Sequence, residues 1–264
     1  MKKALTIAGS DTSGGAGIQA DLKTFHSLDV YGMSALNTIV TMDPDGWAHG
    51  VHPIPTETVK AQLETVLSTG IDAMKTGMLS TVEVIELAAD AIDQHGVNRT
   101  VIDPVMVCKG ENDVLNPENK EALRDLLVPK ATVVTPNLFE AAQLAGTEPI
   151  TTLEEMKEAA QAIYNLGPSY VLIKGGSGLQ HDQAVDLLYD GKKFTLYEAE
   201  KMETHWTHGA GCTYSAAVAA GLAHGKGVED SVRLAKDFIT KAIRHGFPLN
   251  QYVGPVRQMK TSVE

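Results

Sequence analysis

Thr207 to Tyr214 reads T-H-G-A-G-C-T-Y, so that three small residues, Gly209, Ala210 and Gly211, run directly into a thiol at Cys212. The apolar run Ala216 to Leu222 that follows has the composition of a buried helix. A glycine-rich turn entering a helix leaves backbone N–H groups unpaired and adds the positive end of the helix dipole. Together these hold a phosphate or a developing anion. Cys212 then falls in the first helical turn, a position that lowers a thiol's pKa and favours the thiolate. The stretch predicts a nucleophile or base beside an anion hole. On its own it fits equally well a small buried cysteine on a helix packed closely through Gly211.

Other residues of chemical interest sit where a strand gives way to a loop. Asp103, in D-P-V-M-V-C-K-G, falls just past the strand Thr100 to Ile102, where parallel sheets carry ligand or metal residues; an Asp before Pro also simply starts a turn. Val107 to Glu111 reads as part of a flap bearing Cys108 and Lys109, because Asn112 to Asn119 is polar and aperiodic. In T-P-N-L-F-E-A, Asn137 and Glu140 are three apart at a helix start and share a face. They can reach a metal-bound water, or Glu140 can be a solvated first-turn acid favoured by the dipole. Lys174 ends a strand and precedes two glycines, which suits phosphate oxygens as well as an ordinary strand end. Gly15, Gly17 and Ala20 fit a dinucleotide spacing, with Asp43 near the ribose-acid position, but a polar loop separates them from the strand before them. That loop puts Asp11, Ser13 and Asp21 close by, as polar substrate contacts would be.

The elements that position these residues alternate. Strands are expected at Lys3 to Gly9, Met33 to Thr41, Ile71 to Lys75, Thr100 to Ile102, Ala131 to Thr135 and Ser169 to Ile173. Helices are expected at Ala16 to Leu28, Pro55 to Ser68, Thr81 to His95, Pro117 to Leu127, Thr152 to Leu166, Thr213 to His224 and Val228 to His245. The pattern is α/β with parallel strands. A hairpin of Ala184 to Tyr189 and Lys192 to Glu198, turned by Asp190-Gly191, departs from it. The 264 residues contain no repeat or linker, so one domain over 1–264 is expected. A net charge of -11 disfavours general nucleic-acid binding. The absence of a long apolar run disfavours a membrane span, and a cytoplasmic location is expected. Two cysteines exclude a disulfide scaffold and a four-cysteine zinc site.

Taken together, A-G-S-D-T-S-G-G-A-G-I-Q-A-D-L-K-T, K-T-G-M-L, D-P-V-M-V-C-K-G, T-P-N-L-F-E-A, I-K-G-G and T-H-G-A-G-C-T closely resemble the hydroxymethylpyrimidine kinase branch of the ribokinase-like superfamily, in unbroken order from Lys3 to Pro255. The resemblance implies a three-layer α/β/α sandwich with a mostly parallel central sheet, a homodimer, and transfer of phosphate from ATP with Mg²⁺ to a hydroxymethyl group on a heteroaromatic ring. It implies Cys212 where the wider superfamily has an Asp base, and Gly209, Ala210 and Gly211 as the anion hole. Lys174, Gly176, Asn137 and Thr207 are implied on the nucleotide, and Asp103 and Glu140 at the metal. Ala16, Asp21, Met42, Met78, Val105 and Lys109 are implied on the substrate.

Two departures narrow the substrate. Pyrimidine kinases of the branch usually carry Gln where Met42 aligns, and a thioether does not pair with an aminopyrimidine edge as an amide does. Cys108 stands where they commonly have Ala, which resembles the two-cysteine pyridoxal kinases. With an aldehyde substrate such as pyridoxal, a thiolate at Cys212 would form a hemithioacetal while Cys108 assists proton movement to the 5'-hydroxymethyl; an incidental flap residue is the other reading of Cys108. A pyrimidine kinase of thiamin synthesis, a non-catalytic B6-binding carrier and a dinucleotide-dependent oxidoreductase are the competing expectations.

Overall fold

Strand β1, Lys2–Asp11, sends apolar side chains to both faces: Leu5 and Ile7 enter one core and Ala4 the other, so helices must cover both sides. In the computed structural model, which describes residues 1–106 and 117–258, it is followed by β2 (Val30–Met42), β3 (His49–Pro53), β4 (Ala73–Thr76), β5 (Thr100–Ile102), β6 (Val133–Val134), β7 (Tyr170–Lys174), β8 (Gln183–Tyr189) and β9 (Phe194–Glu200). Among the described residues these form one nine-stranded sheet of order β3-β2-β1-β4-β5-β6-β7-β8-β9. From β2 to β7 every neighbouring pair is parallel, while β3, β8 and β9 join antiparallel.

The helices are α1 (Gly17–Ser27), α2 (Thr56–Ser68), α3 (Val82–His95), α4 (Pro117–Ala122), α5 (Leu138–Ala145), α6 (Leu153–Tyr164), α7 (Ala210–Ala223) and α8 (Val228–Arg244). One core packs Val59, Ile85, Ala141 and Met156 of α2, α3, α5 and α6 against Leu5, Met74, Ile102, Val134 and Ile173 of the sheet. The other packs Phe25, Val218 and Ile239 of α1, α7 and α8 against Ala4, Ala73, Val101, Val133 and Leu172. The result is the α/β/α three-layer sandwich with a mostly parallel sheet. Thr81 caps α3 and Gly96 ends it in the left-handed region, the two boundaries that residue type makes readable.

Two elements differ from expectation. β3 was not anticipated, because Gly50, His52 and Pro53 carry no strand-like alternation and the strand exists only by pairing back onto β2. The helix expected over Pro117 to Leu127 is α4 for one stretch and then a wide turn, Leu123–Leu127, which tightens at Val128–Lys130, where Pro129 withdraws an N–H from the ladder. Cys108 and Lys109 lie outside the described residues.

The C-terminal ends of the parallel strands deliver Asp11, Gly77, Asp103, Asn137 and Lys174 to one side of the sheet. Helix α7 runs across the back of these strands on small residues and approaches α8 closely: a Cβ on Gly221 would lie 2.9 Å from Ser231 Cα. Gly221→Ala therefore forces α7 and α8 apart although alanine gains about 1 kcal/mol of helix propensity. The expected outcome is a lower Tm, with a net loss of about 1–2 kcal/mol; a raised Tm would show that the two helices separate freely.

Candidate active site

Helix α7 begins at Ala210, with Gly209 before it at φ 75°, in the left-handed region. A Cβ on Gly209 would lie 1.9 Å from the Gly15 carbonyl oxygen, so both backbone conformation and space require glycine. The close approach presses the turn 207–209 onto the loop 11–16. It also brings the start of α1 to the start of α7, where the Gly17 N–H favours the ionised form of Cys212.

The C-terminal segment holds that contact from outside. His208 N–H donates to Gly254 O (3.1 Å), Val256 N–H donates to His208 O (3.1 Å), and Gln258 Nε2 donates to Gly15 O (3.1 Å) and Thr213 Oγ1 (3.2 Å). His208 Nε2 lies 2.8 Å from Asp11 Oδ2, with both side chains buried. Burial alone would raise the Asp11 pKa, but its bonds to His208, Ser13 and the Ala16 N–H outweigh this and lower it to about 2. Asp11 and His208 are 197 residues apart in the chain, and neither was singled out as a pair from the sequence.

Cys212 opens on a cavity of about 680 Å³ that is also lined by Lys174, Gly175, Gly176, Thr207, Gly209, Ala210 and Gly211. The thiolate expected at this helix start is not what the free site holds. Burial pushes the thiol up to about 11, with Lys75 opposing and Asp21 and Asp103 adding to the rise. Desolvation here exceeds the helix field. At neutral pH the group is a thiol, half-open to the cavity.

Lys174 and Asp103 form the charged wall. Lys174 Nζ donates to Asp103 Oδ1 at 2.8 Å, Thr135 Oγ1 donates to the same oxygen (3.1 Å), and Ser215 Oγ donates to Asp103 Oδ2 (3.0 Å). The ammonium also lies 3.5 Å from where a Cβ on Gly211 would stand, so cation and anion turn are adjacent. Burial disfavours the Lys174 charge, yet Asp103 and Glu140 raise its pKa above the ordinary value. Asn137 and Glu140 cap α5 reciprocally: Asn137 Oδ1 accepts the Glu140 N–H (2.9 Å) and Glu140 Oε2 accepts the Asn137 N–H (2.8 Å). Glu140 is 4% exposed rather than solvated. Burial pushes its carboxyl up to about 7, with Lys174 opposing and Asp103 adding to the rise.

Among the described residues no group of three or more metal-ligating side chains converges. Mg²⁺ does not need one, since it keeps several waters and takes one or two carboxylates plus phosphate oxygens. Asp103 and Glu140 both line the cavity and repel one another, so the donor set fits such an ion.

Another part of the lining is mainly apolar: Ala16, Val40, Met42, Met78 and Val105 contribute to it, with His49 paired to Met42 across the β2–β3 ladder. Asp21, expected on the substrate, does not line the cavity. It is fully buried, with both oxygens 2.8 Å from Lys75 Nζ and Oδ2 accepting from Thr6 Oγ1 at 2.6 Å. Past Gly176 the cavity continues along Asp186, Ala199, Lys201, Met202, Thr240 and Ile243, none of which the motifs had marked. His49 and these residues reach the site through strand ends and helix faces that carry no local signature.

The profile of the phosphomethylpyrimidine kinase family matches residues 11–257. The chain is 59% identical over 259 residues to a pyridoxine kinase of Bacillus subtilis (strain 168), covering 97% of this chain and 96% of that one. It is 41% identical over 254 residues to a hydroxymethylpyrimidine/phosphomethylpyrimidine kinase of the same organism, covering 96% and 93%. The solved pyridoxal kinase from Staphylococcus aureus in complex with AMP-PCP and pyridoxal superposes with a TM-score of 0.93 at 51% identity, over 98% of this chain and 93% of that one. These similarities overturn the dinucleotide reading of Gly15, Gly17 and Ala20. Gly17 instead opens α1, where a Cβ would lie 2.3 Å from Gly9 O.

The Asp11 pairing has a pH signature. A carboxylate held below its ordinary value of 3.8 stabilises the fold above that value and loses the contribution as pH falls toward about 2. Asp11→Asn is expected to lower the unfolding free energy by about 2 kcal/mol at neutral pH. Denaturant titrations should show the gap to the parent closing from about pH 4 downward; a gap independent of pH would contradict the assignment.

Proposed function

The chain belongs to the phosphomethylpyrimidine kinase family, and from that premise we propose that it transfers the γ-phosphoryl group of ATP to the 5'-hydroxymethyl of pyridoxal and related B6 vitamers. The observation that carries this reading is a single cavity joining the Cys212 sulfur, the Lys174 ammonium and the Gly209–Gly211 amides to a wall bearing Met42. The identities of 59% and 51% to kinases of pyridoxine and pyridoxal support it. The reading includes one domain over 1–264, a homodimer and a cytoplasmic location.

In phosphoryl transfer the protein mostly positions groups and stabilises charge. Lys174 meets the phosphate oxygens, while the amides of the Gly209–Gly211 turn face the charge that develops as the oxygen–phosphorus bond is exchanged. Gly176, Thr207 and Asn137 hold the nucleotide beside them. Asp103 and Glu140 would hold Mg²⁺, which would supply neutralisation of phosphate charge with the nucleotide bound. A cation there also favours the ionised form of Glu140.

Cys212 orients the hydroxymethyl group, and in its ionised form takes the hydroxyl proton. With pyridoxal the same sulfur adds reversibly to the aldehyde: a sulfur–carbon bond forms, the carbonyl π bond opens, and the thiol proton ends on the oxygen. Ala16, Val40, Met78 and Val105 exclude water from the ring, and Met42 leaves an aminopyrimidine edge without a partner.

Catalytic efficiency on pyridoxal, pyridoxine and hydroxymethylpyrimidine tests the assignment. The B6 vitamers are expected to lead by about tenfold or more, and Met42→Gln to shift the ratio toward the pyrimidine by a similar factor. A parent enzyme that prefers hydroxymethylpyrimidine would make it a thiamin-pathway kinase; ligand binding without ATP-dependent product would make it a carrier.

A further inference from the structure

We propose that the buried Lys75–Asp21 pair governs ionisation of Cys212: the Lys75 ammonium stabilises the thiolate from beneath the cavity floor, and Asp21 fixes that ammonium in place. The proposal rests on the role given to Cys212 above.

Lys75 lies on β4 and is fully buried, with Nζ 2.8 Å from each Asp21 oxygen. Two residues on, and so on the same side of the chain, Gly77 lines the cavity; a Cβ there would stand 3.2 Å from Lys75 Nζ. The ammonium therefore sits one glycine's thickness below the space where substrate binds. Asp21 is tied to the sulfur by α1. Gly17, whose N–H favours the ionised form of Cys212, is four residues before Asp21 and on the same helix face. Lys75, Asp21 and Cys212 thus come from β4, α1 and α7, of which α7 packs against both α1 and β4, while the Lys75–Asp21 ion pair joins β4 to α1.

Stability does not account for the pair. Burying two charges costs several kcal/mol per ion, and apolar replacements of similar volume are commonly as stable. The electrostatic coupling supplies a reason. Lys75 is the largest influence favouring the Cys212 thiolate, whereas burial, Asp21 and Asp103 oppose it; the Lys174 ammonium acts in the same sense as Lys75 from β7. Within a dry pocket one nearby cation changes the ease of ionisation by about ten- to a thousandfold.

The test reads the thiol rather than the kinase reaction, so failure here is distinguishable from failure of the proposed function. Iodoacetamide labelling of the Cys212 peptide is followed by mass spectrometry around pH 8, where the rate tracks the thiolate fraction. Lys75→Met is expected to slow labelling by about tenfold. Because that variant strands a buried carboxylate, Asp21→Asn with Lys75→Met is measured beside it, and a smaller slowing is expected, since Lys75 outweighs Asp21 but the opposing Asp21 charge is removed as well. A loosened site would admit water, relieve the burial that holds the thiol up, and speed labelling. An unchanged or faster rate in the folded double variant overturns the proposal.

Discussion

The contact of Gly209 with the Gly15 carbonyl is the constraint on which the site depends. No side chain fits between the two turns, and the backbone at Gly209 adopts a conformation that other residues resist. Closing this gap sets the beginning of α7 against the beginning of α1, so that amides from both helices face one region. The strap of Gly254, Val256 and Gln258 braces it, and the His208–Asp11 contact ties the two turns together at the cavity wall. An anion hole built this way consists of backbone, requires no reorganisation during reaction, and is placed by packing rather than by flexible side chains.

Charge is distributed around this frame so that few groups stand unpaired. Asp103 takes Lys174, Thr135 and Ser215, and Asp21 takes Lys75 and Thr6. The pairing keeps cations in a pocket that burial would otherwise neutralise, while burial still raises the Glu140 carboxyl. Asp103 and Glu140 line the same cavity as Lys174, and a cation bound there would offset that burial.

Much of the fold was readable because each element carries a local signal. The strand–helix alternation, the Thr81 cap, the Gly96 stop and the Asp190-Gly191 turn are all chemistry of adjacent residues. The motifs located Cys212, Lys174, Asp103, Asn137 and Glu140, which meet in one cavity. What remained hidden depends on distant chain. β3 is a strand only through β2, and the Asp21 carboxylate, 54 residues from Lys75, looks from the sequence like a free polar contact. The ionisation of Cys212 was misjudged for the same reason: position in a helix is local and readable, whereas desolvation is set by the whole fold.

The central claim is that this sulfur handles the alcohol while the phosphate is held by other groups. Steady-state turnover of pyridoxal by Cys212→Ala, with ATP and Mg²⁺ varied in the same experiment, tests it most directly. The account predicts a fall in kcat of about a hundredfold or more with the KM for ATP nearly unchanged. Turnover equal to the parent would contradict it, as would a loss expressed only in the KM for ATP.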